Sequence, residues 1–240
     1  MQLVVDCGSQ EIKAGLFAED RLVHSLNGKR PEQLLELLKD KKIERGLIAS
    51  SDSTSQEMAA LLSTQGFPCR ILEAKDFGKL ATSETLPLLQ PARIANIYGA
   101  LSHFPSNDCV IVDLGTSIRF DYVTKQGVYQ GGAVFPHFEA IFRELEKTDF
   151  PGFGESIDSL GKDKLSQAKS GCYFGILGAI ERIVAELRLS SDAPSNVMSI
   201  ATGGATRFPA IQKDLQDFID IVDPQLTLIG LNQILKEVNK

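Results

Sequence analysis

A strand that ends in an acid and then turns on a glycine occurs twice in this sequence. No other feature constrains the fold as strongly. The chain opens with "QLVVDCGSQEIKAGLF", in which an apolar run reaches Asp6 and then Gly8. The same device returns in "CVIVDLGTSIRFDYV", in which the run reaches Asp113 and then Gly115. Apolar residues resume in alternation after each glycine, which predicts a β-hairpin in both places.

Each hairpin is followed by a third strand and then by helices, which predicts two α/β domains of the same design. Residues at helical spacing fall at 31–40, 54–64, 91–104, 137–147, 163–188, 206–218 and 230–239. We expect one domain over residues 1–104 and a second over residues 105–240, with a cleft between them.

The composition excludes several classes of function. The net charge is −6 and the pI is near 5.2, whereas a surface that binds nucleic acid is usually basic. No apolar run approaches the roughly 20 residues that cross a bilayer, and the first residues lack the basic segment of a signal peptide. The cysteines form no CxxC pair, and the three histidines are scattered, which disfavours a disulfide framework or a metal site built from them. These features predict a cytoplasmic protein that binds neither nucleic acid nor membrane.

The glycine turns suit a phosphate group. Glycine lets backbone N–H groups approach an anion closely, and a carboxylate at the strand end can orient Mg²⁺ or a water. A third turn, "ATGGAT", contains Gly203 and Gly204 after a strand, where a nucleoside or its phosphates can meet a helix N-terminus. Alternatively, Asp6 and Asp113 only cap their hairpin turns through Asx-type bonds.

The order of two such hairpins and a TGG turn resembles the superfamily of acetate and sugar kinases, Hsp70 and actin. This resemblance implies two duplicated actin-like (ribonuclease H-like) domains with a nucleotide cleft between them. Within the superfamily, the chain is similar to the type III pantothenate kinases. The similar blocks are "VVDCGSQEIKAGLF", "ARIANIYGA", "VIVDLGTSIRFDYVTKQGVYQGGAVFP", "LGKDKLSQAKSGCYFGILGAIE", "IATGGAT" and "LTLIGLNQIL". The family resemblance implies phosphorylation of the pantothenate hydroxyl by ATP, the first step towards coenzyme A. It also implies Mg²⁺, a monovalent cation (K⁺ or NH₄⁺) and a homodimer.

The same resemblance assigns roles to individual residues. It implies nucleotide or phosphate contacts for Asp6, Gly8, Lys13, Asp113, Gly115, Thr116, Gly203 and Gly204. It implies that Arg93 binds substrate, that Asp6 holds Mg²⁺ and that Asp121 holds the monovalent cation. Each role has a simpler alternative, since Lys13 can be a solvated strand residue, Arg93 can pair with a carboxylate, and Asp121 can be a buried turn acid.

Several positions depart from the family motifs. Ser9 and Gln10 replace an Asn-Thr pair, and Arg119 replaces a threonine, although a guanidinium can donate to phosphate. Ala92 stands where the family has the aspartate taken as general base. Asp163-Lys164 replaces the Asn-Thr of a substrate turn. The catalytic base is therefore unknown, and Glu84 and Asp163 are the two candidate substitutes.

Three functions remain open from the sequence: a pantothenate kinase, a kinase for another small alcohol, and a pseudokinase or regulatory accessory protein that keeps the fold. A positioned base typically contributes about 10²–10⁴-fold to a rate. Phosphoryl transfer depends mainly on positioning and on charge stabilisation. Loss of the base alone therefore does not exclude turnover.

Overall fold

The structure is a computed structural model. It describes residues 1–8, 11–50, 54–73, 75–77, 80, 89–153 and 157–238. The chain forms two compact units. The first comprises Met1–Ser106, Lys125–Tyr129 and Gln225–Lys240, and the second comprises Asn107–Thr124 and Gln130–Pro224.

The first unit is built on a five-stranded sheet of order β3-β2-β1-β4-β5. Its strands are β1 Gln2–Cys7, β2 Ile12–Ala18, β3 Arg21–Gly28, β4 Arg45–Ser50 and β5 Cys69–Ile71. Its helices are α1 Pro31–Leu38, α2 Thr54–Thr64, α3 Pro91–His103 and α7 Leu226–Glu237. The first three strands pair in antiparallel fashion, and β1, β4 and β5 run parallel. One apolar cluster, which includes Leu3, Leu16 and Leu34, packs α1 and α2 onto this sheet.

The second unit repeats that topology with the order β8-β7-β6-β9-β10. Its strands are β6 Asp108–Leu114, β7 Ser117–Val123, β8 Tyr129–Pro136, β9 Val197–Thr202 and β10 Ile221–Val222. Its helices are α4 Phe138–Glu146, α5 Lys164–Leu189 and α6 Pro209–Leu215. Again the first two strands are antiparallel, while β9 runs parallel to both β6 and β10. The prediction of an α/β fold with two duplicated domains is confirmed.

The closing helix α7 lies in the first unit, whereas the sequence pattern placed residues 230–239 in the second domain. It packs along α3, where a side chain at Gly230 would overlap the Ala95 carbonyl oxygen. Between the same helices the Thr227 hydroxyl lies 2.7 Å from Asn96 Oδ1 in a buried hydrogen bond. This close approach needs glycine at one position and a matched polar pair at another, and neither requirement is visible in the apolar spacing of α7.

The helix predicted over residues 206–218 is divided. A short 3-10 helix at Gly204–Arg207 precedes α6, which begins at Pro209. Proline fits the first position of a helix because its missing N–H would have no partner there. Among the described residues, no helix combines the length and hydrophobicity needed to cross a membrane.

Candidate functional site

The first glycine turn closes the β1–β2 hairpin. The N–H of Gly8 donates to the Glu11 carbonyl oxygen at 3.0 Å, and a side chain at Gly8 would press on that same oxygen. Asp6 lies on β1, two residues before Gly8, and only 6% of its surface is exposed to solvent. It stands directly opposite Lys13 in the strand register. Ser9 and Gln10, at the tip of the turn, lie outside the described residues.

Lys13 is not the solvated strand residue of the simpler alternative. Its side chain is 13% exposed, and its Nζ lies 3.9 Å from Glu11 Oε1. Because directly opposed residues of an antiparallel pair share one face of the sheet, Asp6 and Lys13 lie on the same face of the hairpin. The predicted residues Asp6, Gly8 and Lys13 therefore come together on one hairpin.

The second glycine turn joins β6 to β7. Asp113 at the end of β6 stands opposite Arg119 of β7 and, on its other side, opposite Thr202 of β9. Gly115 lies in the turn, where an added Cβ would be 3.5 Å from Asp113 Oδ1. Thr116 follows and is exposed to solvent.

The third turn meets the second at the Asp113 carboxylate. Gly203 has a φ of +98°, and a Cβ there would be 2.5 Å from Asp113 Oδ1 and 2.6 Å from the Leu114 backbone. The Gly203 carbonyl oxygen accepts a 2.7 Å hydrogen bond from the Thr206 hydroxyl, and Gly204 begins the 3-10 helix. The acid and the two glycine turns that the sequence singled out in the second half thus form one compact group.

Asp121 lies elsewhere on β7. It is 1% exposed and stands opposite Ile111 of β6. Gly132 of β8 packs against the Phe120–Asp121 backbone so closely that any side chain would overlap the Phe120 carbonyl oxygen. A carboxylate this deeply buried must be compensated by hydrogen bonds or by a cation.

Arg93 lies in the first turn of α3, two residues after Pro91. Its Nη2 donates to the Tyr129 hydroxyl at 2.9 Å, and its guanidinium carbon lies 5.8 Å from the centre of that ring. Tyr129 therefore holds the guanidinium by a hydrogen bond and a cation–π contact. Sequence reasoning missed Tyr129, because nothing local links two residues 36 positions apart. Ala92, beside Arg93 in the same turn, offers no acid or base.

Asp163, one of the two candidate substitutes for the base, caps α5. Its Oδ1 accepts from the Ser166 N–H at 2.9 Å, and these hydrogen bonds from Ser166 lower the pKa of the Asp163 carboxyl. Lys164 forms an ion pair with Glu146 at 2.9 Å. The carboxylate is thus engaged in a cap. The other candidate, Glu84, lies outside the described residues.

The cysteines do not form a second reactive site. Burial raises the pKa of Cys69 to about 11, and burial together with the charge of Asp108 raises that of Cys109 to about 12. Both thiols therefore stay protonated and weakly nucleophilic at neutral pH. Within the described ranges, no cluster of three or more His, Cys, Asp and Glu side chains could hold a metal ion.

Comparison with known proteins points to one kinase family. The family model described as type III pantothenate kinase matches residues 89–186. A type III pantothenate kinase of Listeria monocytogenes is 35% identical over 152 residues, which are 62% of this chain and 56% of that protein. The chain thus matches little more than half the length of its Listeria relatives. A type III pantothenate kinase of Geotalea uraniireducens is 28% identical over 261 residues, covering 100% of this chain and 99% of that protein.

Solved structures agree on the fold. A Campylobacter jejuni protein described as a candidate Baf family transcriptional activator has a TM-score of 0.59 at 20% identity, covering 99% of this chain and 98% of that one. A Sinorhizobium meliloti protein described as a candidate 2-dehydro-3-deoxygalactonokinase has a TM-score of 0.57 at 10% identity, covering 99% of both chains. At these identities the likeness concerns the fold alone. The resemblance to type III pantothenate kinases that the sequence motifs predicted is confirmed.

Proposed function

We propose that this protein is an ATP-dependent kinase that phosphorylates the hydroxyl of pantothenate, the first step towards coenzyme A. One observation carries the proposal: both units end their first strand in an acid that faces a basic residue beside a glycine turn. Backbone amides at a glycine turn and a fixed cation are the groups that hold phosphate. Similarity to a pantothenate kinase along the whole chain supports the choice of acceptor.

The phosphates of ATP are assigned to the two hairpins and to the TGG turn. The proposed contacts are Asp6, Gly8, Lys13, Asp113, Gly115, Thr116, Gly203 and Gly204. In the second unit Gly203 packs directly against Asp113 and Leu114, so the TGG turn and the end of the second hairpin lie side by side, which supports assigning both to one phosphate-binding group.

The proposed cations fit the carboxylates that are present. Mg²⁺ in kinases is usually held by one or two carboxylates together with phosphates of the substrate, so a single buried acid such as Asp6 suffices on the protein side. The ion would neutralise charge on the phosphate oxygens. Asp121 is the proposed ligand of the monovalent cation because its deeply buried carboxylate offers the oxygen atoms that hard cations bind.

On the acceptor side we assign Arg93 to the pantothenate carboxylate or hydroxyl region. The Tyr129 hydroxyl fixes one edge of the guanidinium, and a pre-ordered guanidinium loses less freedom when it binds an anion. Because Ala92 cannot accept a proton, the proposed reaction relies on positioning and on charge stabilisation rather than on a strong base.

The exposed face of α5 supports a homodimer. Gly171, Gly175 and Gly178 are three or four residues apart, and a Cβ at any of them would meet nothing within 4 Å. Phe174 lies on the same face and is 42% exposed. Each glycine costs an exposed helix roughly 1 kcal/mol relative to alanine, and close packing of a second copy would offset that cost. A cytoplasmic location is proposed because ATP is consumed and the four cysteines are thiols rather than disulfides.

The deciding experiment measures ADP release from MgATP and K⁺ at saturating pantothenate, with an acceptor-free reaction as blank. We expect acceptor-dependent turnover and transfer of phosphate to pantothenate, detected by mass spectrometry. The matched variant is Ala92→Asp, which places a carboxylate at the position of the missing base. It should raise the rate by about tenfold or more, towards the range of about 10²–10⁴-fold that a positioned base supplies.

The alternatives make different predictions. Turnover with another small alcohol but not with pantothenate would transfer the proposal to that acceptor. If nucleotide binds but neither the wild type nor Ala92→Asp turns over any acceptor, the kinase proposal fails. A pseudokinase or a regulatory accessory protein then remains.

A further inference from the structure

The two units carry the same charged pair at the same place in the duplicated sheet. In the first unit, Asp6 of β1 faces Lys13 of β2. In the second unit, Asp113 of β6 faces Arg119 of β7. In both cases the acid is the second-last residue of the first strand, and a glycine turn separates it from the base. Arg119 is therefore the structural counterpart of Lys13, a residue already assigned to phosphate.

The guanidinium of Arg119 is directed back towards the glycine turn. Its Nε donates to the Ser117 hydroxyl at 3.2 Å. Ser117 opens β7 directly after Gly115 and Thr116, and side chains two positions apart on a strand share one face. The hydrogen bond therefore ties the Arg119 side chain to the residue that follows the turn.

Arg119 of β7, Asp113 of β6 and Thr202 of β9 stand side by side and form a row across three strands. Thr202 of β9 stands beside Asp113 on the side away from Arg119. Its side chain is fully buried, and its Oγ1 has no hydrogen-bond partner among the residues that the structure describes. Buried hydroxyls in folded proteins nearly always have a partner, either protein or water, so the Thr202 hydroxyl is a donor that an added polar group, water included, would satisfy.

We propose that Arg119 binds a phosphate group of the nucleotide and does for the second hairpin what Lys13 does for the first. This inference rests on the proposed nucleotide-binding function and adds one residue to it. A guanidinium suits the task because its planar fork can donate two hydrogen bonds to one phosphate. Asp113 stands directly opposite Arg119 in the strand register, so an acid and a base lie side by side next to the glycine turn.

The competing role for Arg119 is purely structural, namely neutralising Asp113. The two roles predict different effects of a substitution on stability and on ligand binding. A structural pair affects the melting temperature and affects every ligand alike. A phosphate ligand affects binding in proportion to the phosphates that the ligand carries and leaves the nucleoside alone.

The test is calorimetric titration of the full-length protein with MgATP and with adenosine. For Arg119→Gln we expect the Kd of MgATP to rise by about 10- to 100-fold, the usual range for one hydrogen bond to a charged group. The Kd of adenosine should stay within about twofold of the wild type. Arg119→Lys keeps the positive charge but loses the planar fork of donors, so its Kd for MgATP should lie between those of the wild type and Arg119→Gln. Arg143→Gln is the matched control, since Arg143 pairs with Asp149 on the exposed end of α4.

Each other outcome overturns the inference. Unchanged MgATP binding in Arg119→Gln shows that no phosphate contact is made, and an equal loss for adenosine shows a structural role. If Arg119→Gln does not fold, the test is made with Arg119→Lys, by comparing its Kd for MgATP and for adenosine with those of the wild type. Wild-type protein that binds no MgATP removes the inference together with the nucleotide site. If Arg119→Gln phosphorylates pantothenate with the same kinetics as the wild type, the role of Arg119 is refuted while the proposed kinase function stands.

Discussion

Replacing Gly203 with alanine tests whether the glycine turn of the second unit is as crowded as its geometry indicates. The added Cβ would lie 2.5 Å from Asp113 Oδ1 and 2.6 Å from the backbone N and C of Leu114. Backbone atoms cannot rotate away, so overpacking should cost about 1–3 kcal/mol. The backbone at φ +98° and ψ 171° is a region that only glycine adopts readily, which adds about 1–3 kcal/mol of strain. The free energy of unfolding should therefore fall by about 2–6 kcal/mol.

The assay is urea unfolding followed by circular dichroism, with thermal melting as a second measure. At about 2–4 °C per kcal/mol for a chain of this length, the Tm should drop by about 4 to 24 °C. Gly131→Ala is the matched control because Gly131 also has a positive φ, +112°, but an added Cβ would meet nothing within 4 Å. Gly131→Ala should lose only the free energy of unfolding that comes from backbone strain, because its added Cβ would overlap no other atom. A loss for Gly203→Ala no larger than that for Gly131→Ala would refute the crowding.

Three further substitutions test other parts of the molecule. Tyr129→Phe removes the hydroxyl that accepts from Arg93, so the KM for pantothenate should rise by about tenfold with little change in Tm; an unchanged KM argues against a positioning role. Burial lowers the pKa of His137, so the neutral imidazole stabilises the fold above the ordinary pKa and this contribution is lost as the pH falls. His137→Gln should therefore flatten the decline in Tm between about pH 7 and pH 5, and an equally steep decline contradicts this. Gly175→Ala should weaken the proposed dimer in sedimentation experiments, whereas a monomeric wild type with a more stable variant contradicts the α5 interface.

The features that sequence reasoning found are local ones. Asp6 and Asp113 end alternating strands, and Gly8 and Gly115 follow within two residues. A strand that ends in an acid and a glycine is visible in a short window because both its periodicity and its turn chemistry are local. The duplicated order of the strands could be predicted for the same reason, since each half repeats three strands before its helices.

The features that it missed depend on contacts between distant parts of the chain. Tyr129 meets Arg93 only because residues 125–129 pack with the first unit. Thr202 stands beside Asp113 only because β9 pairs with β6. The capping role of Asp163 was open to prediction, since aspartate directly before the first residue of a helix is among the preferred N-caps.

The return of α7 to the first unit has a consequence for how the chain folds. The first unit is interrupted by residues 107–224, apart from 125–129, and is completed by residues 225–240. During synthesis, the contact of α3 with α7, in which Gly230 packs against Ala95, therefore cannot form until residues 226–237 have emerged. Contacts between residues so far apart in sequence are slow to form, while the second unit has all its own strands beforehand. We expect the second unit to be protected from proteolysis earlier than the first in a growing or refolding chain.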